Sequence, residues 1–192
     1  MNNASSLPEG YAQSDEFRQT KQQRWLNVLS FVLSVGLIVL GALWRSFDAI
    51  TDLLRQGFGV YILRILPLIA AFYLTHLAHV VTHGVLLRLC SGRSAMYAWR
   101  KTTLFVGSGA YFSRGQMLAV NLLPLLLWSA VFGVCAVLLQ GLSFWLVYFC
   151  FIYNFCGSLN DVYFACKILG QPTEALYQYR GYAIKVFTEE NA

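Results

Sequence analysis

The chain has 192 residues, room for one domain of ordinary size. Hydrophobic residues make up 57% and charged residues 12%, with a mean hydropathy of +0.54. Soluble domains carry about 25% charged residues, so this composition excludes a disordered chain and argues against a soluble globular one. The net charge of +5 comes from 14 basic and 9 acidic residues, and the longest basic run is the pair Arg100-Lys101. Nothing there suits a nucleic-acid partner. The class that remains is an integral membrane protein, with the lipid bilayer as its partner.

Residues 1–24 are polar and carry both charge signs. They read as a mobile or surface-lying tail, without a signal-peptide pattern. Residues 26–43 contain no charge, and Trp25 and Trp44 stand at their ends. The rise between those tryptophans is about 28 Å, close to the hydrocarbon thickness of a bilayer. A tryptophan at each end is the pattern of an interfacial belt. The first span is therefore expected over 25–44.

Ser46 to Gly57 is a connector. Phe47, Ile50, Leu53 and Leu54 recur at helical spacing opposite Asp48, Asp52 and Arg55. Either a short amphipathic helix on the membrane surface, stopped by Gly57, or an ordinary loop accounts for it. The second apolar stretch runs over 58–89. It is too long for one untilted span, and Pro67 is a candidate kink.

The loop from Ser91 to Ser113 is rich in aromatic residues and glycine. Strand-like pieces at Met96–Trp99 and Leu104–Val106 predict a short β-hairpin or a re-entrant element, placed on the cytoplasmic side. Residues 115–160 then run without a charge. A single helix of that length would be about 69 Å long, more than twice the bilayer core. The chain must turn, and Gln140-Gly141-Leu142-Ser143 is the corner. The third and fourth spans are expected over 117–139 and 144–166, as an antiparallel helical hairpin. Residues 171–192 are a polar tail in which Tyr182–Phe187 has strand character.

The expected fold class is thus all-α integral membrane, with four transmembrane helices in a domain over 25–170. Eleven Lys and Arg fall on one side of the spans and two on the other, with Arg64 inside the second stretch. By the positive-inside rule both termini are cytoplasmic. Size and short tails suggest a bacterial plasma membrane. Five cysteines without a CxxC pair read as buried free thiols.

Three histidines carry the chemistry: His76-Leu-Ala-His79-Val-Val-Thr-His83-Gly84. On a helix all three share one face, since residues three and seven later return to within about 60° and 20° of the first direction. Histidine inside a span tends to mark function. His79 and His83, four apart, can reach one metal from one helix. Asp161 is the one acidic residue within the apolar segments. His83 and Asp161 each lie roughly 8–9 Å of helix rise before a cytoplasmic base, Arg88 and Lys167. A buried carboxylate needs a partner, and a metal on the two histidines would supply one. The alternative is that Asp161 only caps a helix at the interface.

His79-Val80-Val81-Thr82-His83-Gly84 resembles the His-Glu-x-x-His-Gly motif of membrane zincins. Asn154-Phe-Cys-Gly157-Ser158-Leu-Asn160-Asp161-Val162-Tyr163 resembles the second motif of a family of zincin peptidases catalogued as a domain of unknown function. That family is distantly similar to the site-2 intramembrane metalloproteases. Gly109-Ala-Tyr111-Phe112-Ser113-Arg114, followed by an apolar span with Pro124, also resembles it. The similarity covers about residues 70–190. It implies zinc held by His79, His83 and Asp161 near the cytoplasmic face, and a hydrolase with a glutamate beside the first histidine. Here that position is Val80, which cannot move a proton as the glutamate does. His76, on the same face, is a candidate substitute base or fourth ligand. The expectation is a zincin-like intramembrane metalloprotease homologue, hydrolytically impaired, which holds a membrane peptide or protein. A haem-binding or metal-transporting membrane protein that uses the histidine face is the competing reading.

Overall fold

The computed structural model describes residues 6–18, 24–100 and 103–190. In chain order the elements are β1 (Tyr11–Arg18), α1 (Arg24–Trp44), α2 (Asp48–Arg55), α3 (Phe58–Ser91), β2 (Met96–Arg100), β3 (Thr103–Gly107), α4 (Arg114–Leu138), α5 (Gly141–Gly157), α6 (Leu159–Leu169), β4 (Leu176–Tyr179) and β5 (Ala183–Glu189). Among the described residues four helical runs are long and apolar enough to cross a membrane: Arg24–Trp44, Ile65–Ser91, Arg114–Leu138 and Gly141–Leu169.

The chain divides into two compact units. Residues 24–78 and 125–159 form a helical unit. Residues up to 23, 79–124 and from 160 onward form a second unit, which carries the sheets.

In the helical unit α5 is the central packing element. Phe144, Trp145, Tyr148, Ile152 and Cys156 are buried, with Leu33, Leu37 and Ile38 of α1 packed against them. Gly41 lets the Tyr148 ring lie against α1, because a Cβ there would collide with that ring. Tyr148 then donates its hydroxyl hydrogen to the Leu37 carbonyl at 2.7 Å. The connector resolves in favour of the amphipathic helix. Asp48 stands in the first turn of α2 and Arg55 in its last, which complements the helix dipole. Phe47 and Ile50 join the α5 cluster. Helix α3 continues through Pro67.

The fourth expected span is not one helix. It breaks at Ser158 into α5 and α6. Glycine at 157 continues a helix poorly, by about 1 kcal/mol relative to alanine. The Ser158 hydroxyl bonds back to the Asn154 carbonyl at 2.7 Å, competing with helical continuation.

The fold is mostly helical but not all-α. The hairpin expected between the second and third spans is present, with β2 antiparallel to β3 from Met96↔Gly107 to Arg100↔Thr103. A three-stranded sheet in the order β1-β5-β4 was not foreseen. The segments read as tails supply all of it. Tyr11 pairs with Glu189 and Phe17 with Ile184, with an irregularity between Gln13 and Asp15. Only Phe17 is buried in β1, so an apolar pattern could not reveal that strand. Its backbone pairs instead with β5, where Ala183, Ile184, Val186 and Phe187 are buried. Residues 1–5 and 19–23 of the expected N-terminal tail lie outside the described residues. All five cysteines are free, as expected, but only Cys150 and Cys156 are buried; Cys90 and Cys135 are half-buried and Cys166 is exposed.

Candidate metal centre

Helix α3 places His79 and His83 one turn apart on one face. The break at Ser158 begins α6, and Asp161 stands in its first turn. The unpaired N–H groups of a helix start favour a carboxylate there. Capping and metal binding were alternatives for Asp161 in the sequence. In the fold it stands in the first turn of a helix and within reach of both histidines.

The three side chains converge. His79 Nε2 lies 3.2 Å from Asp161 Oδ2. His83 Nε2 lies 3.0 Å from His79 Nε2 and 3.9 Å from Asp161 Oδ1. One ligand atom from each residue falls within 4.8 Å of the others. His83 is the most enclosed, with 5% of its side chain exposed, against 14% for His79 and 16% for Asp161. The less enclosed pair marks the side from which a ligand can approach.

The donor set fits a divalent cation. Bonds of about 2.0–2.1 Å in a tetrahedral arrangement set neighbouring donors roughly 3.3 Å apart. The separations of 3.0, 3.2 and 3.9 Å bracket that value. Hydrogen bonding alone serves the cluster poorly. His79 Nε2 carries at most one hydrogen. It faces both a carboxylate oxygen and a second imidazole nitrogen, and whether it offers a hydrogen or a lone pair it can serve only one of them well. A shared cation would engage all three lone pairs. The two imidazoles also approach from one helix, which is not the opposed pair that a bis-histidine haem requires.

His76 stands outside this group of three. Three residues along a helix turn it about 60° away from the direction of His79. Val80, at the glutamate position of the zincin motif, is 8% exposed. Its side chain is buried and bears no group that can hold a proton.

Two residues beside the centre were given no structural role by the sequence. The first is Gly84, beside His83. The Tyr97 hydroxyl of β2 occupies the place where a Cβ of residue 84 would lie. The glycine of the motif thus lets the hairpin close onto α3.

The second is Tyr179 of β4, whose ring stacks on that of His83 with centroids 5.8 Å apart and planes 17° from parallel. Burial, and secondarily the charge of Asp161, push the Tyr179 hydroxyl far up, so it keeps its proton. Strand β4 is held by the loop before α4. Ser108 donates its N–H to the Tyr179 carbonyl at 2.8 Å, and Phe112 and Tyr177 exchange both backbone bonds. The turn after β4 needs glycine, since Gly181 has φ +79° and a Cβ there would press on the Val106 carbonyl.

A family model described as "Putative zincin peptidase" matches residues 72–176. That is 105 of 192 residues, more than half the chain. The chain belongs to this family. The matched region contains His79, His83 and Asp161, as the two sequence motifs implied. No curated protein and no solved structure matches the chain.

Proposed function

We propose that this member of the zincin peptidase family is an integral membrane protein that binds zinc and is impaired in peptide hydrolysis. The observation that carries the reading is the convergence of His79, His83 and Asp161 from two helices onto one point. Zinc bound there would supply a Lewis acid for a carbonyl or a water. The chain's own residues would orient that group and shield it, with His83 the most enclosed of the three. The family motif places a glutamate next to the first histidine, to take a proton and return it to the leaving amine. Val80 can do neither. The centre itself offers no other carboxylate, because Asp161 is one of the three donors. Binding without turnover suits a protein that holds a membrane peptide or partner.

Membrane insertion is supported by the surface of the helices. Phe31 is 70% exposed, Leu43 80% and Leu89 74%, and exposed apolar surface of this kind calls for a covering phase. The Lys and Arg asymmetry supports a reading in which both ends, and with them the metal centre, face the cytoplasmic side of a plasma membrane.

Elemental analysis of purified protein tests the centre. Wild type is expected to hold about one zinc per chain, and His79→Ala and Asp161→Ala almost none. Equal zinc in all three sinks the reading. Val80→Glu tests the impairment: it is expected to cleave a membrane peptide that wild type leaves intact. Cleavage by wild type would show that Val80 does not disable the site.

A further inference from the structure

The sheet built from the two end segments has a role at the metal centre that its position in the chain does not suggest. Tyr179 is the last residue of β4, and it lies beyond residues 72–176, the part of the chain matched by the family. It is 4% exposed. Its ring covers the imidazole of His83 nearly in parallel. An imidazole that binds a metal has a free torsion about its ring bond, and its nitrogen is useful only when the ring is held at one angle. On α3 itself His79 meets the His83 ring edge-on, with centroids 4.8 Å apart and planes 61° from parallel, whereas a ring stacked along the face of His83 resists its rotation.

The Tyr179 ring is itself well anchored. Its carbonyl accepts from Ser108 N–H, and Tyr177, two residues earlier, exchanges two backbone bonds with Phe112. Gln178 donates its Nε2 hydrogen to the Gly109 carbonyl at 2.9 Å. On its other side β4 pairs with β5, from Leu176↔Phe187 to Tyr179↔Ile184, and β5 pairs with β1. The ring angle of His83 is therefore tied through β4 to a sheet that both ends of the chain complete.

We propose that Tyr179 is a positioning residue of the metal centre, its ring setting the orientation of the His83 imidazole. This rests on the metal-binding reading above. It assigns a task to the terminal sheet: holding a ligand of a centre whose three donors all lie on helices.

Full-length protein in detergent, titrated with Co²⁺ alone, tests it. Wild type is expected to bind one Co²⁺ with visible ligand-field bands. Tyr179→Leu, which removes the flat ring, is expected to bind at least about 10-fold more weakly and to change the band pattern, in the range seen when outer-shell groups of metal sites are lost. Tyr179→Phe, which keeps the ring and loses the hydroxyl, is expected to recover both affinity and bands. Tyr179→Leu with the wild-type affinity and spectrum overturns the proposal. So does Tyr179→Phe that fails as badly as Tyr179→Leu, which would assign the effect to the hydroxyl. A folded wild type that binds no Co²⁺ is a different failure: it removes the metal reading, and the positioning role with it. If Tyr179→Leu does not fold, histidine-labelled wild type carries the test by NMR. The His83 ring signals are expected upfield of those of His79 through the Tyr179 ring current, and their coincidence overturns the stack.

Discussion

The two units use polar side chains differently. In the helical unit four polar side chains are each matched to a nearby acceptor. Tyr148 donates to Leu37 O, Trp145 to Ser46 O at 3.2 Å, and Ser30 to Cys156 O at 3.1 Å. Asn154 donates to Leu125 O and to Ser129 Oγ. These bonds close locally and lock helix to helix. In the sheet-bearing unit three groups instead aim at one point and satisfy one another poorly. A buried polar group with a single good partner is architecture; several converging on one point form a group that could hold an ion.

Substitutions can break this contrast. The largest effect is expected from exchanging one member of each set. Asp161→Ala should lose metal by more than the roughly 10–100-fold typical of outer-shell groups. Asn154→Ala should leave the metal content at the wild-type value. Thermal unfolding reports the other half: Asn154→Ala is expected to lose about 1–2 kcal/mol, from the lost bonds to the Leu125 carbonyl and the Ser129 hydroxyl. Metal loss in Asn154→Ala would erase the distinction.

A smaller effect sharpens the contrast within the sheet-bearing unit. Gly84→Ala puts a methyl group where the Tyr97 hydroxyl lies. Tyr97 is half exposed and can swing aside, so about 1–2 kcal/mol of stability is expected to be lost, toward the low end for overpacking. The loss should shrink in a Tyr97→Ala background, and a double-mutant cycle measures the coupling. An unchanged cost in that background would mean that the hairpin does not close against Gly84.

Much of the helical frame was legible because hydropathy and charge act over long segments. The charge-free runs gave spans whose ends agree with α1, α3 and α4 to within about three residues. The amphipathic α2 and the β2–β3 hairpin were visible as local periodicities of 3.6 and 2. The break at Ser158 was not, because Gly157 and Ser158 lie in a charge-free run long enough to read as one continuous span. Strand β1 was hidden for a different reason. Its exposed polar residues look like a tail, and its order comes from backbone pairing with β5 more than 160 residues away in the chain.

For the centre, the sequence by itself determined which donors were available. The i, i+4 spacing put His79 and His83 on one face, and the scarcity of charge singled out Asp161. Val80 was equally plain, since a missing carboxylate is a matter of identity and needs no geometry. The tertiary structure decided that these donors meet, that His76 stands outside the group, and that Gly84 and Tyr179 frame the metal helix. The physical reason is range. Periodicity specifies a face of one helix, but convergence within a few ångströms depends on where a second helix restarts and on which strand ends against the imidazole. Both are set by pairings between residues far apart in the chain.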